Sequence, residues 1–348
     1  MPELSVPELS VVVCTNRGKA HLGSVLTALS AQTLRANMEV IVVDDGAPER
    51  LDELCQAHGA RLCRHPRNLG LAAARNTGWR AARSDLVAFT DDDCRPQVQW
   101  AEHLHAAFSD AEGAVLAAGG PVRAATSDGY LNQYYGLRDP FAPLEAELAQ
   151  SSSLAFRLWL YLGRSVRGPN KTGRRPVASL AGANMAFRRS VLENLGGFDP
   201  GVRFGGEDED LFYRLRQAVA DARVVFEPGA VVDHDFRPSL SDALRRARSY
   251  GRGNARNFVK HPQWGPTVFP VPLAVLGLSV AAARRPGWAV GALLVPVVAF
   301  PRYALEARRR GRPVVASFAY LQLLEEAASD IGFVAGWWHF RKAAELGR

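Results

Sequence analysis

Cysteine is scarce: four residues among 348 (Cys14, Cys55, Cys63 and Cys94), with no CxxC pair. That scatter excludes a zinc ribbon and a disulfide scaffold, and it suits a reducing compartment. No GxGxxG follows the first apolar run, which argues against a nicotinamide-dependent oxidoreductase. The loop at 15–19 is a poor version of the Gly-rich, cationic phosphate loop that a nucleotidyltransferase would carry. Basic residues do not gather into a module of their own, so a nucleic-acid partner is not expected. There is no internal repeat. The N-terminal residues MPELSVPELS hold carboxylates and no apolar stretch, so a secretory signal is not expected either.

What remains is a chain of ordinary globular make-up, 47 % hydrophobic and 22 % charged, which excludes wholesale disorder and collagen. Its formal charge of +7 suits anionic partners such as nucleotides or anionic lipid without selecting one. The length allows roughly two domains.

The first half alternates short β-branched runs with helical periodicity. Strands are expected at 9–14, 39–43, 60–65 and 86–90. Helices are expected over 22–29, 51–58 and 68–82, the last capped by Asn68 or a neighbour. That alternation implies a doubly wound, mostly parallel α/β sheet. Ligands bind such sheets outside the carboxyl ends of the strands. Two acidic clusters stand at ends of that kind: Asp44-Asp45-Gly46 and Asp91-Asp92-Asp93.

Three adjacent carboxylates repel unless a cation relieves them. Their oxygens suit Mg2+ or Mn2+, and an extended backbone would turn Asp91 and Asp93 to one side. A solvated acidic turn is the alternative. Asp44 and Asp45 could accept hydrogen bonds from a base or ribose, or form a simple Asp-Gly turn. Glu207-Asp208-Glu209-Asp210 opens a helix after Gly205-Gly206; the acids complement the helix dipole, and one could serve as a general base. His234 could complete a metal shell with Asp93 or be an ordinary structural histidine.

The order of these motifs carries more than any one of them. Ser10-Val-Val-Val-Cys-Thr-Asn-Arg17, Val42-Val-Asp-Asp-Gly46, Asn68-Leu-Gly-Leu-Ala-Ala-Ala-Arg-Asn76 and Phe89-Thr-Asp-Asp-Asp-Cys-Arg-Pro96 come first. Ala181-Gly-Ala-Asn-Met-Ala-Phe-Arg188, Gly196-Gly-Phe-Asp199 and Gly206-Glu-Asp-Glu-Asp-Leu211 follow. Together they resemble glycosyltransferase family 2, the inverting class of GT-A fold, over residues 8 to 240. The resemblance implies transfer of a sugar from a nucleotide-diphosphate donor to an acceptor hydroxyl. It implies that Asp44 and Asp45 hold the base or ribose beside Thr15, Asn16 and Arg17. Arg75 would meet phosphate or a neighbouring carboxylate. Asp91 or Asp92 would touch the nucleotide sugar, and Asp91, Asp93 and His234 would surround Mn2+ or Mg2+. Asp208 would be the base, with Glu207 beside it. The QxxRW signature of processive synthases is missing, which favours addition of one or a few sugars. A membrane-anchored glycan- or nucleotide-sugar-binding protein with a degenerate site is the alternative.

Residues 1–240 are thus expected to form the GT-A domain. The segment 123–177 interrupts it as an aromatic and basic insertion, either a lid or acceptor-binding piece or a surface excursion packed by its own aromatics. Residues 241–348 form a helical region with two uncharged segments, 267–283 and 286–301. Each is slightly shorter than the ~20 residues of a membrane span. They suit a membrane hairpin, a re-entrant pair or a buried helical pair. Arginines outside both ends would place the main domain on the cytosolic face of the cell membrane, with a glycan or lipid-linked acceptor of the cell envelope.

Overall fold

The computed structural model describes residues 6–109, 115–138, 151, 153–168, 173–202, 205–236, 239–261 and 263–346. Residues 1–5, 139–150 and 169–172, the last two within the expected insertion at 123–177, are among those outside the described residues.

Four strands form the expected parallel half: β1 (Leu9–Thr15), β2 (Met38–Asp44), β3 (Arg61–Arg64) and β4 (Leu86–Asp91). They pair in the order 3-2-1-4, all parallel. Every residue of β1 is buried, as a central strand covered on both faces requires. Side chains alternate across the sheet. Leu9, Val11 and Val13 meet Leu22, Val25 and Leu29 of α1 (Lys19–Ser30). On the other face Val12 meets Ala72, Ala74 and Trp79 of α3 (Leu71–Ala81). Between them α2 (Asp52–Ala57) leads into β3.

Beyond β4 the sheet mixes its directions. β9 (Asn184–Arg188) lies antiparallel between β4 and β6 (Val115–Gly119). β10 (Arg223–Phe226) runs parallel to β6, and β8 (Arg175–Pro176) closes the edge antiparallel. A separate three-stranded sheet joins β5 (Cys94–Pro96), β11 (Val232–His234) and β7 (Val122–Ala124). Helices α4 (Trp100–Ala107), α7 (Arg189–Leu195) and α8 (Glu207–Ala218) complete this part.

Of the cap positions expected at Asn68 or a neighbour, the chain uses Gly70, which has no side chain to cap with. Asp45 does the work from across the chain: its carboxylate accepts the Leu69 and Gly70 amides at 2.8 and 2.9 Å. An acid at a helix N-terminus satisfies donors that the helix cannot.

The segment after β7 carries α5 (Tyr130–Arg138) and α6 (Leu154–Arg167). Its aromatics do not pack on themselves alone. Tyr134, Tyr135 and Tyr161 share a core with Phe269, Phe300, Tyr303 and Phe318 of the C-terminal region. That region is α9 (Leu240–Lys260), α10 (Pro270–Ala282), α11 (Gly287–Ala299), α12 (Pro301–Arg310) and α13 (Phe318–Leu346). No single helix among the described residues is long and apolar enough to cross a membrane. α11 and α12 reach that length together but bend by 68°.

Candidate active site

The strand order reverses between β1 and β4, because β2 and β3 extend to one side and β4 begins the other. The two carboxyl ends diverge into a crevice there. Thr15 ends β1, and its hydroxyl donates to Asp92 Oδ2 at 2.6 Å. Asn16 and Arg17 follow, both exposed. Arg17 reaches Asp93 Oδ2 at 2.9 Å.

Pairing of β11 with β5 brings in the distant histidine. The register sets His234 opposite Cys94, and the Asp235 amide donates to the Asp93 carbonyl at 3.0 Å. His234 Nε2 lies 3.4 Å from Asp93 Oδ1. Burial lowers the His234 pKa against the opposing pull of Asp93 and Asp91, which favours the neutral ring that ligates metals. One ligand atom each from Asp93, Cys94 and His234 falls within 4.8 Å of the others. Burial holds the Cys94 thiol well above its ordinary pKa, which makes it the weakest donor of the three. Burial likewise raises the Asp91 and Asp92 carboxyls, and each is raised further by its acidic neighbours while Arg75 and Thr15 respectively oppose the shift. Crowded, partly desolvated carboxylates beside a neutral imidazole fit a divalent cation.

Arg75, from α3, is buried under the crevice. It pairs with Glu207 Oε1 and, at 3.2 Å, with Asp91 Oδ1. Burial works to lower its pKa, but Glu207, Asp91 and Asp208 outweigh it and hold the guanidinium charged. Burial raises the Glu207 carboxyl, with Arg75 opposing. Glu207 is therefore tied up in an ion pair. Asp208, one residue on, faces a pocket of about 180 Å3 lined by Asp91, Gly182, Tyr250 and Asn254 among others. Its carboxylate is oriented by the Gly182 amide at 2.8 Å and the Glu209 amide at 2.9 Å. Gly206 precedes this helix with φ +88°, a left-handed turn that glycine adopts freely. Asp210 turns away to Arg214, Lys260 and His261.

Asp44 and Asp45 lie at the end of β2, both buried and engaged. Asp44 accepts from the Ala47 amide at 2.7 Å and Arg64 Nε at 2.8 Å. Asp45 also bonds His65 Nδ1 at 2.7 Å. The crevice thus unites Thr15, Arg17, Arg75, Asp91, Asp92, Asp93, Glu207, Asp208 and His234. Asp44 and Asp45 shape its flank with their oxygens already hydrogen-bonded.

Sequence reasoning missed Tyr250 and Asn254, which reach the pocket from α9, beyond the expected domain limit at 240. It also missed the support behind His234. Phe236 packs on the imidazole and stacks on Tyr135 at 4.6 Å, and Arg246 of α9 covers both rings of that stack. Gly182 stood inside a recognised motif without a role. A Cβ there would meet the Arg75 guanidinium at 2.6 Å.

Comparison with known proteins completes the picture. The description "Glycosyl transferase family 2" matches residues 10–196. The chain belongs to that family. A second description, "Glycosyl transferase family group 2", matches residues 162–304. This family 2 chain is 34 % identical over 258 residues to the pre-mycofactocin glycosyltransferase of Mycobacterium tuberculosis, covering 73 % of this chain and 48 % of that protein. It is 26 % identical over 261 residues to the chondroitin synthase of Escherichia coli, covering 70 % and 37 %. The chain therefore spans about half or less of the length of these relatives. Among solved structures, a mannosyltransferase from Pyrobaculum calidifontis, in complex with GDP-Man and Mn2+, aligns with TM-score 0.56 at 20 % identity over 96 % of this chain and 88 % of that one. GalNAc-T7 with UDP, GalNAc and Mn2+ aligns with TM-score 0.50 at 19 % identity over 75 % and 51 %. These likenesses establish the GT-A fold expected from the motifs.

Proposed function

We propose that this family 2 chain transfers a sugar from a nucleotide-diphosphate donor to an acceptor hydroxyl with inversion. The observation that carries the reading is Asp208, aimed into the pocket by two backbone amides while its neighbour Glu207 is held by Arg75. The acceptor oxygen attacks the anomeric carbon from the face opposite the diphosphate. The new C–O bond forms as the bond to the diphosphate breaks, and the hydroxyl proton passes to the Asp208 carboxylate. The nucleoside diphosphate leaves. Asp91, Asp93 and His234 would hold Mn2+ or Mg2+, which supplies Lewis-acid stabilisation of the departing diphosphate. Thr15 orients Asp92, and Arg17 stands where an anionic donor would draw it from Asp93. Asp44 and Asp45 support the donor flank. The GDP-Man and Mn2+ bound to one structural neighbour, and the UDP, GalNAc and Mn2+ bound to the other, favour this donor chemistry. A glycan or lipid-linked saccharide of the cell envelope, met at the cytosolic face of the membrane, is the acceptor class this reading favours.

The test is a thermal-shift series with UDP, dTDP, GDP and CMP, with and without Mn2+, followed by turnover with sugars of the nucleotide that binds. A ligand of the folded state raises Tm by mass action. Asp208→Asn is expected to lower kcat about 10²–10⁴-fold and keep the nucleotide shift. Asp93→Ala is expected to lose the Mn2+-dependent part of that shift. Normal turnover in Asp208→Asn would remove the base assignment.

A further inference from the structure

One helix is built inside out, and a second exposes apolar residues beside it. On α6, Arg157, Tyr161 and Ser165 are buried, whereas Leu158, Trp159, Leu162 and Val166 form an exposed stripe. Trp159 is 68 % exposed. The buried side makes the polar contacts: Arg157 donates to the Pro266 carbonyl, and the Tyr161 hydroxyl to Glu326 at 2.6 Å. On α13 the exposed side is again partly apolar: Leu324, Ile331, Val334 and Trp338 are exposed, while Gln322, Glu326, Ser329 and Asp330 are buried together with Phe318, Leu321 and Phe333. A helix covering a water-soluble domain turns its apolar stripe to the core and its polar side out. The reverse arrangement is stable where the outer medium is hydrocarbon.

The two exposed apolar faces do not stand apart. α6 touches α11 and α12, and both α10 and α11 touch α13. Tyr320 of α13 donates to the Leu293 carbonyl of α11 at 2.8 Å. α10 and α11 add their own exposed apolar residues, among them Leu276 and Val298. Charge at the edge of this surface has one dominant sign. Arg284 and Arg285 occupy the α10–α11 turn, Arg308 to Arg310 form the last turn of α12 with Arg312 just beyond it, and Arg341 and Lys342 lie against Trp337 and Trp338. Apolar faces with tryptophans and a cationic border match an anionic bilayer surface.

We propose that the joined outer faces of α6, α10, α11 and α13 lie in the surface layer of an anionic lipid bilayer, parallel to its plane. None of these helices is both long and apolar enough to span it singly, which favours the in-plane mode over a transmembrane hairpin. The proposal stands apart from sugar transfer, since it rests on outward-facing residues that do not line the pocket. It adds a consequence for that reading: α9 carries Tyr250 and Asn254 into the pocket on one side and packs along α13 on another. The catalytic crevice is then one helix away from lipid.

The experiment is co-flotation of the full chain with vesicles of phosphatidylcholine, with and without phosphatidylglycerol, at low and high salt. The wild-type chain is expected to float with the phosphatidylglycerol vesicles, and high salt should weaken this without abolishing it. Leu162→Glu combined with Ile331→Glu is expected to lower the bound fraction about tenfold or more. Val98→Glu, an exposed apolar site outside the surface, should leave it unchanged. Circular dichroism and the nucleotide thermal shift report whether the double variant is folded. A folded wild-type monomer that floats with neither vesicle overturns the proposal. So does a wild-type dimer that Leu162→Glu/Ile331→Glu dissociates, since a second copy would then cover the face. Failure to float with a retained nucleotide shift leaves sugar transfer standing, and flotation without any nucleotide shift leaves the lipid surface standing.

Discussion

Arg75 is the side chain on which the crevice turns. Its guanidinium is shared between Glu207 on α8 and Asp91 on β4, two elements more than 100 residues apart in sequence, and the Phe198 ring lies 5.6 Å below it. Removing one member of a buried ion pair leaves the others charged and unsolvated, at a cost of about 3–5 kcal/mol. Arg75→Met is expected to destabilise the chain by about that much, measured by urea unfolding. A loss below about 1 kcal/mol would mean that water or a rearranged cation replaces it. Glu207 is thus less available than its position in the motif suggests, while Asp208 keeps its face to the pocket.

At the scale of elements, the junction between α9 and its neighbours decides whether the site is complete. α9 crosses α13 at backbone contact. A Cβ on Gly251 would meet the Ser329 carbonyl at 1.9 Å, and one on Gly332 would meet the Arg248 carbonyl at 2.0 Å. On its other side α9 is tied to the loop before α8, where the Asn257 amide donates to the Gly206 carbonyl at 2.9 Å. Gly251→Ala is therefore expected to push the two helices apart and cost about 1–3 kcal/mol, as overpacking does. Because Tyr250 adjoins the substituted residue and lines the pocket, the donor-induced thermal shift should fall as well. A variant with wild-type stability and an unchanged shift would show that the crossing has slack.

Across the whole molecule, two distant carboxyls shift in opposite directions and so tie stability to pH with opposite signs. Asp199 lies between the catalytic half and α9. Burial alone would raise its carboxyl, but hydrogen bonds from Lys260, the Gly201 amide and Arg256 outweigh that and lower it from 3.8 to about 2. Its contribution is present above pH 3.8 and is lost as pH falls towards 2. Glu326 lies among the C-terminal helices, and burial raises its carboxyl from 4.5 to about 7 against the pull of Arg138, Gln322 and Tyr161. Its contribution is full below pH 4.5 and is lost as pH rises through 7. Glu326→Gln should thus raise Tm more at pH 8 than at pH 5. Equal shifts at the two pH values would contradict a carboxyl that is protonated in the acid-side fold.

By itself the sequence determined the parallel half of the sheet, because β-branched runs followed by acidic turns and helical periodicity are local signals. It also determined the family, since seven short motifs kept their order, and those motifs singled out Asp91–Asp93 and Asp208 as candidates. Tertiary structure decided everything that depends on partners far along the chain. The reversal of β9, the pairing that carries His234 to Asp93, and the entry of Tyr250 and Asn254 into the pocket are long-range pairings with no local signature. The same holds for the engagement of Asp44 and Asp45: an acidic strand end reads alike whether its oxygens face a ligand or the amides of Ala47, Leu69 and Gly70. Helical periodicity over α6 separates an apolar stripe from a polar one, but does not say which of the two faces inward. That depends on Tyr134, Tyr135 and Tyr161 finding Glu325 and Glu326, and only the folded chain brings them together.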